Sequence, residues 1–315
     1  MPVVQSPLRV PLPASIGDAS NDEFDTLTSP FRGALLAHCY RMLGSIDDAE
    51  DAVQETLVRA WRSRATFTEA VSFHAWLYRI ATNACLDAIE RRKRTIGSTG
   101  RLEVQPIPAD LIDEPAASPE ARYDARESIS LAFLTALQVL SPRQRGVLIL
   151  RDVLGWRAQE VADLLGLSVA AANSTLHRAR QALASTYPPS RSARAAEPGR
   201  LRTLLDRYVR AWESADIAGL VSLLREDALV SMPPALTVAG ADAIARFLAE
   251  AVFVGGRQIR LDQIEANGVV AYRIRSGPSA TALEPYAVLT LDVDDTGRVA
   301  RMGVFADPGL LARFA

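Results

Sequence analysis

The chain has 315 residues, with 35 lysines and arginines against 37 aspartates and glutamates, for a formal net charge of −2. Hydrophobic side chains make up 49%, enough for two or three packed cores, and no run of roughly eighteen apolar residues offers a membrane span. The near-neutral balance argues against a protein that grips duplex DNA unaided, because phosphate neutralisation supplies most of such affinity.

Residues 1–22 carry scattered prolines and serines without a continuous apolar stretch, which predicts a disordered start and no secretory signal. Residues 23–94 are helical by spacing, with Leu35, Leu36, Met42 and Leu43, then Val53, Leu57 and Trp61 recurring at helical intervals. Within them Asp47, Asp48, Glu50, Asp51 and Glu55 surround Gln54 on one acidic helix. The run from Phe67 to Phe73 loses helical periodicity and has aromatics at both ends. The helix after it places Arg79, Asn83 and Asp87 on one face and ends in Arg91, Arg92, Lys93 and Arg94. Cys39 and Cys85 fall on these helices and read as small buried side chains, and no cysteine–histidine spacing suits a metal.

Residues 95–120 hold four prolines among acidic side chains and read as an extended linker. Residues 121–187 are helical again. Val161, Ala162, Leu164 and Leu165 form the inward face of a short helix, and Gly166 permits a left-handed stop. Ser168 caps the next helix, whose inward positions are Val169, Ala172, Leu176 and Ala179. Asn173, Ser174, His177, Arg178 and Gln181 are left on its polar face, which makes the pair a helix-turn-helix suited to base edges and phosphates. Arg143, Arg145 and Arg180 are placed to meet phosphate.

After a second linker at residues 188–199, residues 200–315 open with an amphipathic helix through Leu201, Leu204, Leu205, Tyr208, Val209 and Trp212. Short helices follow near residues 217–224 and 241–252. Strands are predicted at residues 229–232, 257–264, 269–275, 286–293 and 299–305, with a hairpin turn at Asp294-Asp295-Thr296-Gly297. Helices first and an antiparallel sheet after predict an α+β cone. Trp212, Met232, Phe247, Tyr272 and Tyr286 are the candidates to line an apolar pocket in it. All three histidines lie outside this domain, and Asp262 and Glu284 are weak candidates for a general base, so a non-catalytic domain is expected.

The run Asp48-Ala49-Glu50-Asp51-Ala52-Val53-Gln54-Glu55-Thr56, the run Trp76-Leu77-Tyr78-Arg79-Ile80-Ala81-Thr82-Asn83, and the helix-turn-helix preceded by Leu140-Ser141-Pro142-Arg143-Gln144-Arg145 occur in that order. Together they resemble regions 2 and 4 of the bacterial sigma-70 family, extracytoplasmic-function group. The cone, including Phe305-Ala306-Asp307-Pro308, resembles the SnoaL-like domains. The expected fold is therefore multidomain: two all-α sigma domains, the region 2 helical bundle and the region 4 helix-turn-helix, followed by an α+β SnoaL-like cone.

The resemblance implies a cytoplasmic transcription initiation factor, monomeric when free, without cofactor, metal or membrane attachment. Its implied partners are core RNA polymerase (β′ clamp helices and β subunit) and promoter DNA, with a small ligand or an anti-sigma protein as a further partner. Asp51, Gln54 and Glu55 would meet the clamp helices. Phe67, Phe73, Trp76, Arg79, Asn83, Asp87, Arg91, Arg92 and Lys93 would read and hold the melted −10 element, with residues 67–73 as the loop that captures a flipped base. Asn173, Ser174, His177 and Arg178 would read the −35 element. The two reading heads must lie about 70 Å apart at ~34 Å per duplex turn. Extended, the first linker reaches roughly 80 Å. The alternative reading is a free-standing helix-turn-helix regulator with a ligand-sensing domain.

Overall fold

The computed structural model describes residues 16–68, 72–96, 104–111, 128–186, 198–233, 236–267 and 269–314. They form two compact units, Met1–Gln105 with Ala109–Pro188, and Pro106–Pro108 with Pro189–Ala315.

The first unit is all helical. The described residues begin at Ile16, which is buried, so residues 16–22, expected to be disordered, hold a helical turn and the capped start of the next helix. Ser20 and Glu23 then close a reciprocal capping box on α1 (Asn21–Thr28). Next come α2 (Arg32–Leu43), α3 (Ile46–Ser63) and α4 (Phe73–Ile96), which pack on one another. Helix α2 stops because Gly44 adopts φ 73° and returns its N–H to the Tyr40 carbonyl. Helix α3 starts at Ser45, whose Oγ accepts from Asp48 N.

Helices α5 (Leu131–Leu137), α6 (Pro142–Leu148), α7 (Ala158–Leu165) and α8 (Val169–Thr186) complete the unit. Helix α6 has a second capping box, Ser141 with Gln144, and proline in its first turn, where no N–H is needed. It lies flat on α2 and α4: a Cβ on Gly146 would stand 3.7 Å from both Met42 and Thr82. Val104 and Gln105 of the linker are seated on the turn between α2 and α3, where Gln105 N donates to Gly44 O at 2.9 Å. Its Oε1 accepts from Ile46 N at 3.1 Å, and its carbonyl takes the Tyr40 hydroxyl.

The second unit is the α+β cone. Helices α9 (Pro198–Glu213) and α10 (Ile217–Ser222) lead into β1 (Leu224–Met232) and β2 (Leu236–Ala239). Helix α11 (Ala241–Phe247), strands β3 (Gln258–Ala266), β4 (Val269–Gly277), β5 (Glu284–Val293) and β6 (Val299–Phe305), and α12 (Pro308–Ala312) follow. The sheet order is β2-β1-β6-β5-β4-β3, antiparallel except that β1 runs parallel to β6. This corrects the expected wholly antiparallel sheet, because the helical excursion between β2 and β3 lets β1 and β6 meet in the same direction.

One core joins α9 to the inner sheet face through Tyr208, Trp212, Leu261, Tyr272, Leu289 and Met302. Ile107 belongs to this unit and is fully buried. Its N–H donates to Asn267 Oδ1 at 3.0 Å, its carbonyl accepts from Asn267 N at 2.9 Å, and Pro108 bridges antiparallel to Ala266. The linker is therefore not a bare tether at residues 104–108.

Candidate nucleic-acid interface

The helix-turn-helix is built as the sequence spacing requires. Gly166 takes φ 64° with its N–H on Ala162 O, and Leu167 N returns to the same carbonyl. Ser168 Oγ accepts from Ala171 N at 3.1 Å. On α8, Ala172, Leu176 and Ala179 are buried, whereas Asn173, Ser174, His177 and Arg178 are all exposed. Two donors, a hydroxyl and an imidazole thus form one solvent-facing stripe. Arg180 makes a two-pronged bond to Asp152 at 2.6 and 2.9 Å, which steadies the helix against the preceding turn.

Arg145 does not face phosphate. It is 4% exposed and donates to the carbonyls of Met42 (2.5 Å) and Leu137 (3.1 Å). Burial lowers its pKa to about 10, leaving it charged at neutral pH. A proline-arginine-glutamine-arginine stretch does not say which arginine turns inward, and the i+4 position behind a capping serine is the one that does.

On α4, Arg79, Asn83 and Asp87 share an exposed face, with Arg91, Arg92 and Lys93 exposed beyond it. Asp87 is engaged by Arg59 at 2.7 Å, and Arg59 also holds Glu55 at 2.6 Å. Arg92 pairs with Asp48 at 2.7 Å. Exposed pairs of this kind contribute only about 0.2–1 kcal/mol, so phosphate can replace Asp48 on Arg92 at little cost.

Phe67, Phe73 and Trp76 form one aromatic cluster, with centroids 5.2–5.8 Å apart. Phe73 is 4% exposed and meets Phe31 edge-on at 5.7 Å, so it is a core anchor and not a stacking platform. Phe67 and Trp76 are half-buried and remain reachable. Ser72 starts α4 by accepting from Ala75 N, and residues 69–71 of the expected capture loop lie outside the described residues.

Asp51 and Gln54 are exposed on α3, and Glu55 is half-buried beside Arg59. Ala52, Val53, Thr56 and Ala60 pack behind them.

An inner cluster escaped sequence reasoning. His38 Nε2 lies 2.9 Å from Thr82 Oγ1, whose proton goes to Tyr78 O, so the imidazole must donate. His74 packs on Tyr78 at 4.5 Å and on Trp156 at 5.7 Å. Burial above all, then Arg41 and His74, lowers the His38 pKa to about 3, and burial lowers that of His74 to about 4. A histidine beside a cysteine on an apolar helix was the available signal.

In the cone, Trp212 and Tyr272 are core residues, with Met232 half-buried against them. Burial, then the charge of Asp206, raises the Tyr272 hydroxyl to about 12. Phe247 is half-buried outside that core. Tyr286 is not a lining residue: it is 42% exposed and faces Arg257 across 5.9 Å. Asp262 sits among Arg273, Arg260 and Arg275 on the outer sheet face, and Glu284 is exposed.

Two helical DNA-reading modules in one unit, followed by a cone, define a multidomain promoter-recognition protein. Residues 27–95 match the sigma-70 region 2 family, 130–183 match sigma-70 region 4, and 205–302 match the SnoaL-like domain. The ECF RNA polymerase sigma factor SigG of Mycobacterium tuberculosis is 41% identical over 320 residues, covering 94% of this chain and 85% of that protein. SigW of Bacillus subtilis is 30% identical, covering 51% of this chain and 87% of its own length. The crystal structure of the M. tuberculosis factor SigJ superposes with a TM-score of 0.62 at 25% identity, covering 91% of this chain and 98% of that one. The chain belongs to the extracytoplasmic-function sigma factors, which bind core RNA polymerase and direct it to promoters, and it carries a C-terminal SnoaL-like domain. The free-standing-regulator alternative gives way to this membership. Among the described residues no helix is long and apolar enough to cross a membrane.

Proposed function

We propose that this sigma factor docks through Asp51, Gln54 and Glu55 on the polymerase clamp helices. It then reads the melted −10 strand with Phe67, Trp76, Arg79 and Asn83, and the −35 duplex with Asn173, Ser174, His177 and Arg178. Arg91, Arg92 and Lys93 hold phosphates between these contacts. The observation that carries the reading is the sorting of α8, where every candidate base-reading side chain is exposed and its neighbours Ala172, Leu176 and Ala179 are buried. With a net charge of −2, the chain gains its grip on DNA only in company with the polymerase. This action places it in the cytoplasm.

The cone domain acts as a non-catalytic restraint on the linker. The chain passes from Gln105, bonded beside Gly44, to Ile107, bonded on both backbone groups to Asn267. Holding the linker there withholds length that the two reading heads need.

The test is run-off transcription and gel shift with full-length chain. Promoter-specific transcripts and a DNA complex should appear only with core polymerase. Equal DNA binding without it would refute the docking scheme. Truncation after about Tyr187 should change promoter activity, and unchanged activity would remove the restraint.

A further inference from the structure

The SnoaL-like unit carries a second feature, separate from its core and from the DNA-reading faces. A groove of about 640 Å³ opens between one face of α9 and the turn joining β5 to β6. Arg200, Thr203 and Arg207 follow one another along α9 at spacings that share a face, and Arg298 stands on the opposite wall. Leu204 and Leu223, both buried, form its floor.

No carboxylate among the described residues lines the groove. Among the described residues, the Arg207 and Arg298 side chains have no ion-pair partner. That sets them apart from Arg59, Arg92, Arg180, Arg225 and Arg273, each of which holds a carboxylate. Asp294 and Asp295 precede Arg298 without lining the groove, and Asp294 is committed elsewhere: its Oδ1 accepts from the backbone of Thr296 and Arg298, and its Oδ2 faces Arg225 at 3.5 Å. Asp206, the neighbour of Arg207, acts on Tyr272.

Guanidiniums that face a concave space while holding no carboxylate, as Arg207 and Arg298 do among the described residues, raise the local potential and concentrate anions there. Their planar forks match phosphate oxygens two at a time.

We propose that this groove binds a small ligand bearing two or more linked phosphoryl groups, with Arg207 and Arg298 gripping it from opposite walls. The volume favours a small ligand over a nucleic-acid backbone. It falls within the roughly 300–1,000 Å³ of ordinary ligand clefts, whereas a duplex would lie across the rim. A single phosphate would leave one wall unmet. The restraint exercised by the cone would then have a chemical input at a place distinct from the apolar core.

Isothermal titration calorimetry of the full chain with inorganic pyrophosphate at physiological salt tests this. One site per chain is expected, and the exposed double variant Arg207→Gln/Arg298→Gln should lose affinity roughly tenfold or more, since each charge-assisted bond contributes on that scale. Arg298→Ser alone should show an intermediate loss, and circular dichroism should show all variants folded. A promoter duplex, with and without core polymerase, is the second arm, and its binding should be the same in wild type and double variant. Absence of saturable pyrophosphate binding, or binding that survives the double substitution, would overturn the proposal. So would a variant that loses DNA affinity in place of pyrophosphate affinity, because the groove would then serve the nucleic-acid backbone.

Discussion

His38 shows how one buried side chain makes a fold sensitive to acid. Its Nε2–H is spent on Thr82, and its Nδ1 meets no partner among the described residues. A second proton would create a charge on a ring with Arg41 nearby and no acceptor to receive it. His74, under Trp156, is depressed for the same first reason, burial. Both folded-state values, about 3 and about 4, lie below the ordinary histidine value near 6.5. The unfolded chain therefore binds more protons across that interval, and stability is lost as pH falls from about 6.5, by at most about 1.4 kcal/mol per pH unit per site. Thermal melts from pH 7 to pH 4.5 should show this decline. His74→Phe should flatten it, and an unchanged slope in that variant would show that other groups govern acid sensitivity.

Asn267 is the second residue whose chemistry is specific. Among the described residues it is one of two non-glycine residues with positive φ, at 53° and 1% exposure, and its side chain satisfies the buried Ile107 N–H. Asn267→Ala removes the acceptor and strains the backbone. The buried N–H alone costs about 1–3 kcal/mol. Asn267→Gly removes the same acceptor and relieves the strain. Hydrogen exchange at the Ile107 amide should accelerate in both variants, and thermal stability should fall further in the alanine variant. Unaltered Ile107 exchange in both would show that Asn267 does not hold the linker.

At the scale of single elements, α8 gives the most direct functional prediction. Arg178→Ala or Asn173→Ala should each lower discrimination at one −35 position by about 1–3 kcal/mol, because the side chains are exposed and hold up nothing in the core. Anisotropy of the reconstituted holoenzyme on promoter variants measures this. A uniform loss across all sequences would mean a phosphate contact instead.

The same helix shows what the sequence makes legible. Its inward and outward positions follow from local periodicity, and so do Gly166 and the Ser168 cap. Strands β3 to β6 were recognisable by alternation and a hairpin turn. Features created by long-range packing were not legible. The direction of Arg145 depends on the Met42 carbonyl, 103 residues away. Phe73 reads as a loop aromatic until Phe31 is seen against it. Tyr286 is one residue out of step with the inward-facing Ala287 and Leu289, at the register shift between β4 and β5 near the strand's start, and is left exposed there. The parallel β1–β6 pairing has no local signal at all.

Across the helical unit, these contacts amount to a latch. Arg145 in α6 is bonded to α2, and Arg41 in α2 donates to Ser128 Oγ at 2.7 Å ahead of α5. Trp156 meets His74 and Tyr78 of α4 at 5.5–5.7 Å. Helix α8 packs on α6 and is about 27 Å long at ~1.5 Å per residue. A recognition helix bound this closely to region 2 cannot also stand some 70 Å from α4, the spacing that two duplex turns impose. If α8 and α4 are the two reading heads, the folded unit is expected to be a resting form whose halves separate on binding polymerase.

The bonds that hold it are mostly from buried arginines to carbonyls. Their loss leaves charge and acceptors unsatisfied unless the surfaces are rehydrated together. Opening is therefore expected to be all-or-none. Fluorescent labels at Asn21→Cys and Gln181→Cys, both exposed positions, report it cleanly because Cys39 and Cys85 are fully buried. Addition of core polymerase should move the pair from a short to a long separation in one step. Arg145→Gln should populate the long separation without polymerase. A short separation that persists in the polymerase complex would mean that the closed arrangement is compatible with promoter recognition and that the latch has no gating role.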